Sequence, residues 1–125
     1  MSALVDAIAS HLTTAGVVTA QWPAHKLGVQ HTPDQSITIY ETGGPEPEQA
    51  ADRRWLRPTF QVVARAAVGD AQAANLKAMA ALTALDRATV SGFAYVRATQ
   101  SAPFQVGPDP NGRPLFSVNF RAGES

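Results

Sequence analysis

The chain has 125 residues, which suits one domain with a modest core, and 45% of them are apolar, which argues against wholesale disorder. Ten basic and ten acidic residues cancel, so no general attraction to nucleic acid is expected, although cancellation hides local patches. Cysteine is absent, which excludes disulfides and cysteine-ligated zinc or iron–sulfur sites, and no apolar run approaches the ~20 residues that span a bilayer.

The N-terminal stretch MSALVDAIASHLTTAG has no basic leader and interrupts its apolar residues with Asp6 and His11, so it does not read as a signal peptide. A soluble protein with no membrane partner is expected. Leu4, Val5, Ile8 and Leu12 recur at helical spacing and predict a first helix over about 3–15. Ser2 is its cap and Gly16 its stop. Residues 17–35 give no clear period. HKLGVQHTPDQ reads as a loop punctuated by Gly28 and Pro33. In SITIYE, Ile37 and Ile39 alternate with Thr38 and Tyr40, which predicts a strand with one face apolar.

TGGPEPEQAADR holds two glycines, two prolines and several charges, and predicts a mobile loop over 42–54. The clearest strand follows Trp55. Phe60, Val62, Ala64 and Ala66 alternate there with Thr59, Gln61, Val63 and Arg65. Asp70 caps a second helix over about 71–88, rich in strong helix formers, whose Leu76, Met79, Leu82 and Leu85 read as core residues. FAYVRATQ predicts another strand. SAPFQVGPDPNGRPLFSVNFR predicts a closing hairpin turned by Asn111 and Gly112. The expected fold is one α/β (α+β) domain over 1–125. Its sheet is mostly antiparallel with four to five strands, and two helices pack on one face.

The chemistry of a catalyst is missing from the pattern. No Walker loop, GxGxxG, HExxH or GxSxG string occurs. Gly43 and Gly44 are followed by Pro45 and Glu46, and a phosphate cradle wants free N–H groups and no nearby acid. His25, His31 and Asp34 could ligate a metal, but their spacing matches no known ligand pattern, so polar loop residues are the preferred reading. Glu46 and Glu48 could pair as acid and base, but a Gly/Pro-rich loop does not hold carboxylates rigidly enough to shift their pKa values. No catalytic residue, cofactor or metal is expected. Arg53, Arg54 and Arg57 flank Trp55. Arginine beside an aromatic suits a protein interface, a stacked nucleic-acid base, or a strand whose Trp is simply core. Trp22 beside Pro23 reads as either an anchor for a neighbour or a lid on the core.

Several strings together resemble a known family. SITIYETGGPEPE, RPTFQVVARA and VGPDPNGRPLFSVNFR are similar to the phage minor capsid family of tail terminators. There an I-x-I-Y-E-T-G-G strand leads into a Pro-rich loop, followed by a P-x-F-Q-V-x-x-R strand, an Ala-rich helix and a D-x-x-G-R-P turn feeding F-S-V-N-F. The resemblance covers nearly the whole chain and is weakest over 20–35. It implies a structural virion protein of the tail or neck, assembled in the host cytoplasm, that acts as no enzyme. It implies a hexameric ring of copies on the last ring of the tail tube. That ring would halt tube polymerisation and present a surface to a head-side connector or stopper protein, with genomic DNA passing through its lumen. On this reading, contacts with neighbouring subunits or tube protein are expected at Trp22, Gly43, Gly44, Glu46, Glu48, Arg53, Arg54, Trp55, Asp109, Asn111 and Arg113. Another neck component, such as a head-completion or stopper protein, is the alternative within the same class. A small oligomeric ligand-binding module or enzyme would need convergent polar groups in a pocket. A nucleic-acid binder would use Arg53, Arg54 and Arg57, and would show a steep salt dependence.

Overall fold

The computed structural model describes residues 3–26, 34–44, 48–49 and 54–124. The first helix, α1 (Ala3–Thr14), ends where Gly16 takes φ 81°, and the N–H of Val17 turns back to the Leu12 carbonyl. Leu4, Val5, Ile8 and Leu12 are all buried, as their spacing predicts. After a turn at Thr19–Trp22, a strand not expected from the sequence follows: β1 (Ala24–Lys26). It is too short to show a period. It exists by pairing in parallel with β2 (Ser36–Gly43), with His25 opposite Thr38, and Ile37 N–H donates to the Pro23 carbonyl.

β2 pairs antiparallel with β5 (Thr59–Arg65), which pairs antiparallel with β8 (Pro114–Glu124). β8 is the spine. Its far edge pairs with β6 (Phe93–Ala98) along one half and with β7 (Phe104–Pro108) along the other. The sheet therefore has six strands, mostly antiparallel, in the order β1-β2-β5-β8-β6 with β7 beside β8. The strand beyond the expected number is β1. Between β6 and β7 the ladder is patched by a side chain. The Gln100 amide donates to the Ser117 and Ala102 carbonyls and accepts from the N–H of Asn119.

Alternation sorts the sheet. Ile37, Ile39, Phe60, Val62, Ala64, Val96, Val118, Phe120 and Ala122 join the buried residues of α1 and of α2 (Ala71–Leu85) in one apolar cluster. Cross-strand neighbours Phe60 and Phe120 stack at its centre, with ring centroids 5.0 Å apart. Residues of the other parity, including Thr38, Tyr40, Val63, Arg65, Leu115 and Ser117, stand outside that cluster.

The second helix departs from expectation twice. It stops at Leu85, three residues before the expected end, because Arg87 adopts φ 64° and gives its N–H to the Val96 carbonyl, while the Asp86 carboxylate accepts from the N–H of Ala98. Its inner face consists of Ala74, Ala78, Ala81 and Leu85, which lets the helix lie close to the sheet. Leu76 and Met79 face outward instead of packing in the core, 60% and 38% exposed. Within 42–54 lies a second feature absent from the sequence reading. β3 (Glu48–Gln49) and β4 (Arg54–Trp55) form a separate two-stranded antiparallel ribbon, so Trp55 belongs to the ribbon and not to the central strand.

Candidate assembly surface

The tip of the β7–β8 hairpin is densely hydrogen-bonded. Asp109 organises it by an Asx turn, one carboxylate oxygen accepting from the N–H groups of Asn111 and Arg113 at 2.9 Å each. Its other oxygen accepts from Arg113 Nε at 2.8 Å, and Gly112 supplies the φ of 79° that closes the turn. The Arg113 guanidinium, only 5% exposed, also reaches the Asp34 carboxylate at 3.3 Å. Arg65, likewise buried, donates from Nε to the Asp34 carbonyl at 3.0 Å. Two arginines and two carboxylates thus tie the hairpin tip to the start of β2 and the end of β5.

The electrostatics follow from this crowding. Burial and then the neighbouring Arg113 lower the pKa of Arg65, while Asp109, Asp34 and Tyr40 oppose the change. Burial acts to raise Asp109. The Arg113 N–H and guanidinium and the Asn111 N–H outweigh it and hold the carboxyl below its ordinary value. On the same face, burial raises Tyr40 against the pull of Arg65. Burial, then Arg65, lowers His25, whose Nε2 has no hydrogen-bond partner among the described residues.

Beside this cluster the sheet face opens into a cavity of about 340 Å³ lined by Ser36, Thr38, Tyr40, Val63, Arg65, Pro108, Asp109, Pro110 and Leu115. Its walls are largely apolar, with Arg65 and Asp109 the charged residues among them.

The expected contact residues scatter over the molecule. Asp109, Asn111 and Arg113 come together at the hairpin tip. Trp22 is half-buried against the core, with Lys77 Nζ 5.2 Å from its ring centroid. Gly43 sits at a register shift ending β2, with φ 88°. Gly44, at φ 128°, packs its α-carbon against the Arg57 carbonyl, where a side chain has no room. Glu48, Arg54 and Trp55 contribute backbone to the ribbon, Glu48 opposite Trp55. Glu46 and Arg53 lie outside the described residues, as does His31 of the metal reading. Among the described residues no group of three or more His, Asp or Glu is placed to hold a metal ion, and no helix is long and apolar enough to cross a membrane.

The cavity was not visible in the sequence, although one signal was present: Ser36, Thr38 and Tyr40 alternate with the core isoleucines, and Arg65 falls on the same parity of β5. A second signal is the run 98–108, eleven residues without a charge between Arg97 and Asp109. It contains β7, whose Phe104 and Val106 are 65% and 52% exposed.

The described residues form a small α+β fold with a six-stranded, mostly antiparallel sheet. A family profile described as bacteriophage tail terminator protein matches residues 29–123. The chain belongs to the bacteriophage tail terminator family, and so is a structural component of a virion tail. The fold is also found in a solved protein chain that is 19% identical, with a TM-score of 0.58, the likeness covering 98% of this chain and 96% of the other. A comparison of the sequence with curated proteins finds no match.

Proposed function

We propose that copies of this chain close into a hexameric ring on the last ring of the phage tail tube, stop its polymerisation and offer the head-side connector or stopper protein a surface to join. The observation that carries this reading is the family match over 29–123. The structure supplies compatible parts. The outer edges of β6 and β7 carry no partner strand among the described residues, and such edges are ready for contacts with neighbours. Head-to-tail contacts between identical subunits close into a ring when the rotation per subunit divides the circle. The charge balance of ten basic and ten acidic residues suits a lumen through which DNA slides without being gripped. No catalytic step is assigned, because the polar groups gathered at the hairpin tip are spent on one another.

The test is tube length. Tube protein polymerised with this protein should give tubes of arrested growth, each with a ring at one end in negative-stain images. Tubes that elongate equally with and without it, and bear no extra density at either end, would refute the proposal.

A further inference from the structure

Three exposed arginines gather where the turn after α2 meets the β6 edge of the sheet. Among the described side chains, Arg87, Arg97 and Arg121 are the arginines left exposed, whereas Arg65 and Arg113 are buried. Arg97 and Arg121 are direct cross-strand partners on β6 and β8, so their side chains leave the same face of the sheet side by side. Arg87 gives its backbone N–H to the Val96 carbonyl and lines one recess with Arg97 and Tyr95. None of the three makes an ion pair among the described residues. Asp86 shares a second recess with Arg121, and its carboxylate accepts from the N–H of Ala98. Three arginines against that one carboxylate leave the patch positive, a local excess that the balanced composition of the whole chain hides.

The fold gains nothing from this arrangement. Like charges directly opposite each other in a sheet are destabilising. Arg87 is the one described residue other than glycine at positive φ, 64°, a region that strains a side chain. Arginines placed so call for an anion from outside, and two observations say which. The carboxylates of Asp6, Asp34, Asp70, Asp86 and Asp109 are each bonded within their own chain, so a second copy offers none of these to the patch. The exposed large hydrophobics Leu56, Val68, Leu76, Met79, Phe104 and Val106 line neither recess, whereas a protein interface is built on an apolar centre within a polar rim. Here the arginines are surrounded by Thr89, Tyr95, Thr99, Gln100 and Ser101. Arginine with Ser, Thr, Gln and Tyr is the set of side chains that holds nucleic-acid phosphates, and the guanidinium fork matches a phosphate with two parallel bonds.

We propose that Arg87, Arg97 and Arg121 bind the phosphate backbone of duplex DNA without reading its sequence. The contact belongs to the single chain and stands apart from the tube-capping function. Fluorescence anisotropy of a labelled duplex, titrated with the protein between about 50 and 200 mM KCl, measures it. Three phosphate contacts give a slope of log K against log salt of about −2.7 for each bound chain, a loss of roughly 40-fold over that range. Two duplexes of unrelated sequence should bind equally. Single Arg87→Gln, Arg97→Gln and Arg121→Gln variants should each flatten the slope by about 1. Each should melt in urea no earlier than the parent, which separates lost binding from lost folding. Absence of duplex binding by the unaltered protein at about 50 mM KCl overturns the proposal. An unchanged slope in the triple variant also overturns it, by moving the contact elsewhere on the chain. Capture by poly-glutamate beads but not by duplex overturns it too, by making the patch a seat for an acidic protein. Tube capping is read in a separate assay, so either proposal can fail without the other.

Discussion

Asp109 carries more of the hairpin tip than any other side chain, accepting from two N–H groups and one guanidinium. Removing it takes from the 5%-exposed Arg113 guanidinium its 2.8 Å carboxylate partner, and Asp109→Ala should cost about 3 kcal/mol by the usual cost of breaking a buried pair. The pH dependence has a definite sign. A carboxyl held below its ordinary value of 3.8 stabilises the fold fully above that value, and the contribution fades as pH falls through the lower folded-state pKa. Urea melts at pH 7 and pH 3 should therefore lose less stability in Asp109→Asn than in the parent. An equal loss in both would show that other groups control acid unfolding. Gly44 is the second decisive residue. Its φ of 128° and its contact with the Arg57 carbonyl both exclude a side chain. Gly44→Ala should destabilise by roughly 1–3 kcal/mol, read from the shift of the urea midpoint. Its two-glycine string reads in the sequence as part of a loop, but the reason for the second glycine lies in Arg57, thirteen residues away, and no local pattern encodes that.

At the level of elements, α2 separates what pattern shows from what packing decides. Its existence and its Asp70 cap follow from composition, and the Asp70 carboxylate does accept from the N–H of Ala73. Its orientation does not. A helix rich in both alanine and leucine can bury either, and here the close approach to β5 and β8 selects the alanines. Leu76→Gln with Met79→Gln should accordingly change stability by no more than about 0.5 kcal/mol, whereas Leu85→Ala, fully buried, should cost about 2–5 kcal/mol. Thermal or urea melts of the two variants side by side check this, and a large loss in the double glutamine variant would contradict the outward placement. β2, β5 and the hairpin were legible because each alternates and each is bounded by turn residues. β1 and the β3–β4 ribbon were not, since strands of three and two residues carry no period, and β1 moreover depends on a partner thirteen residues further along the chain.

For the whole molecule, the main sheet and the ribbon are separate hydrogen-bonded sheets, because among the described residues β3 and β4 pair only with each other. Replacing residues 45–53 with a short Gly/Ser linker should leave the far-ultraviolet circular dichroism and the urea midpoint close to those of the parent. If the ribbon contributes to docking, the same variant should cap tubes poorly. Unfolding of the variant would instead make the ribbon part of the core architecture. The candidate contact residues named from the sequence were chosen where the chain looked loop-like or aromatic. The cavity is not legible in the sequence because a pocket is a property of several strands and a turn together, and Phe104 reads like any other strand aromatic until its exposure is seen.

β8 is the last element in chain order and also the strand to which β5, β6 and β7 all bond. During synthesis β5 can pair at once with β2, but β6 and β7 emerge before β8, the strand to which they bond. The sheet cannot be completed until residues 114–124 have left the ribosome. The six-stranded sheet is therefore finished only when translation of that strand is over, so a nascent chain truncated before it lacks the strand that joins β5 to β6 and β7.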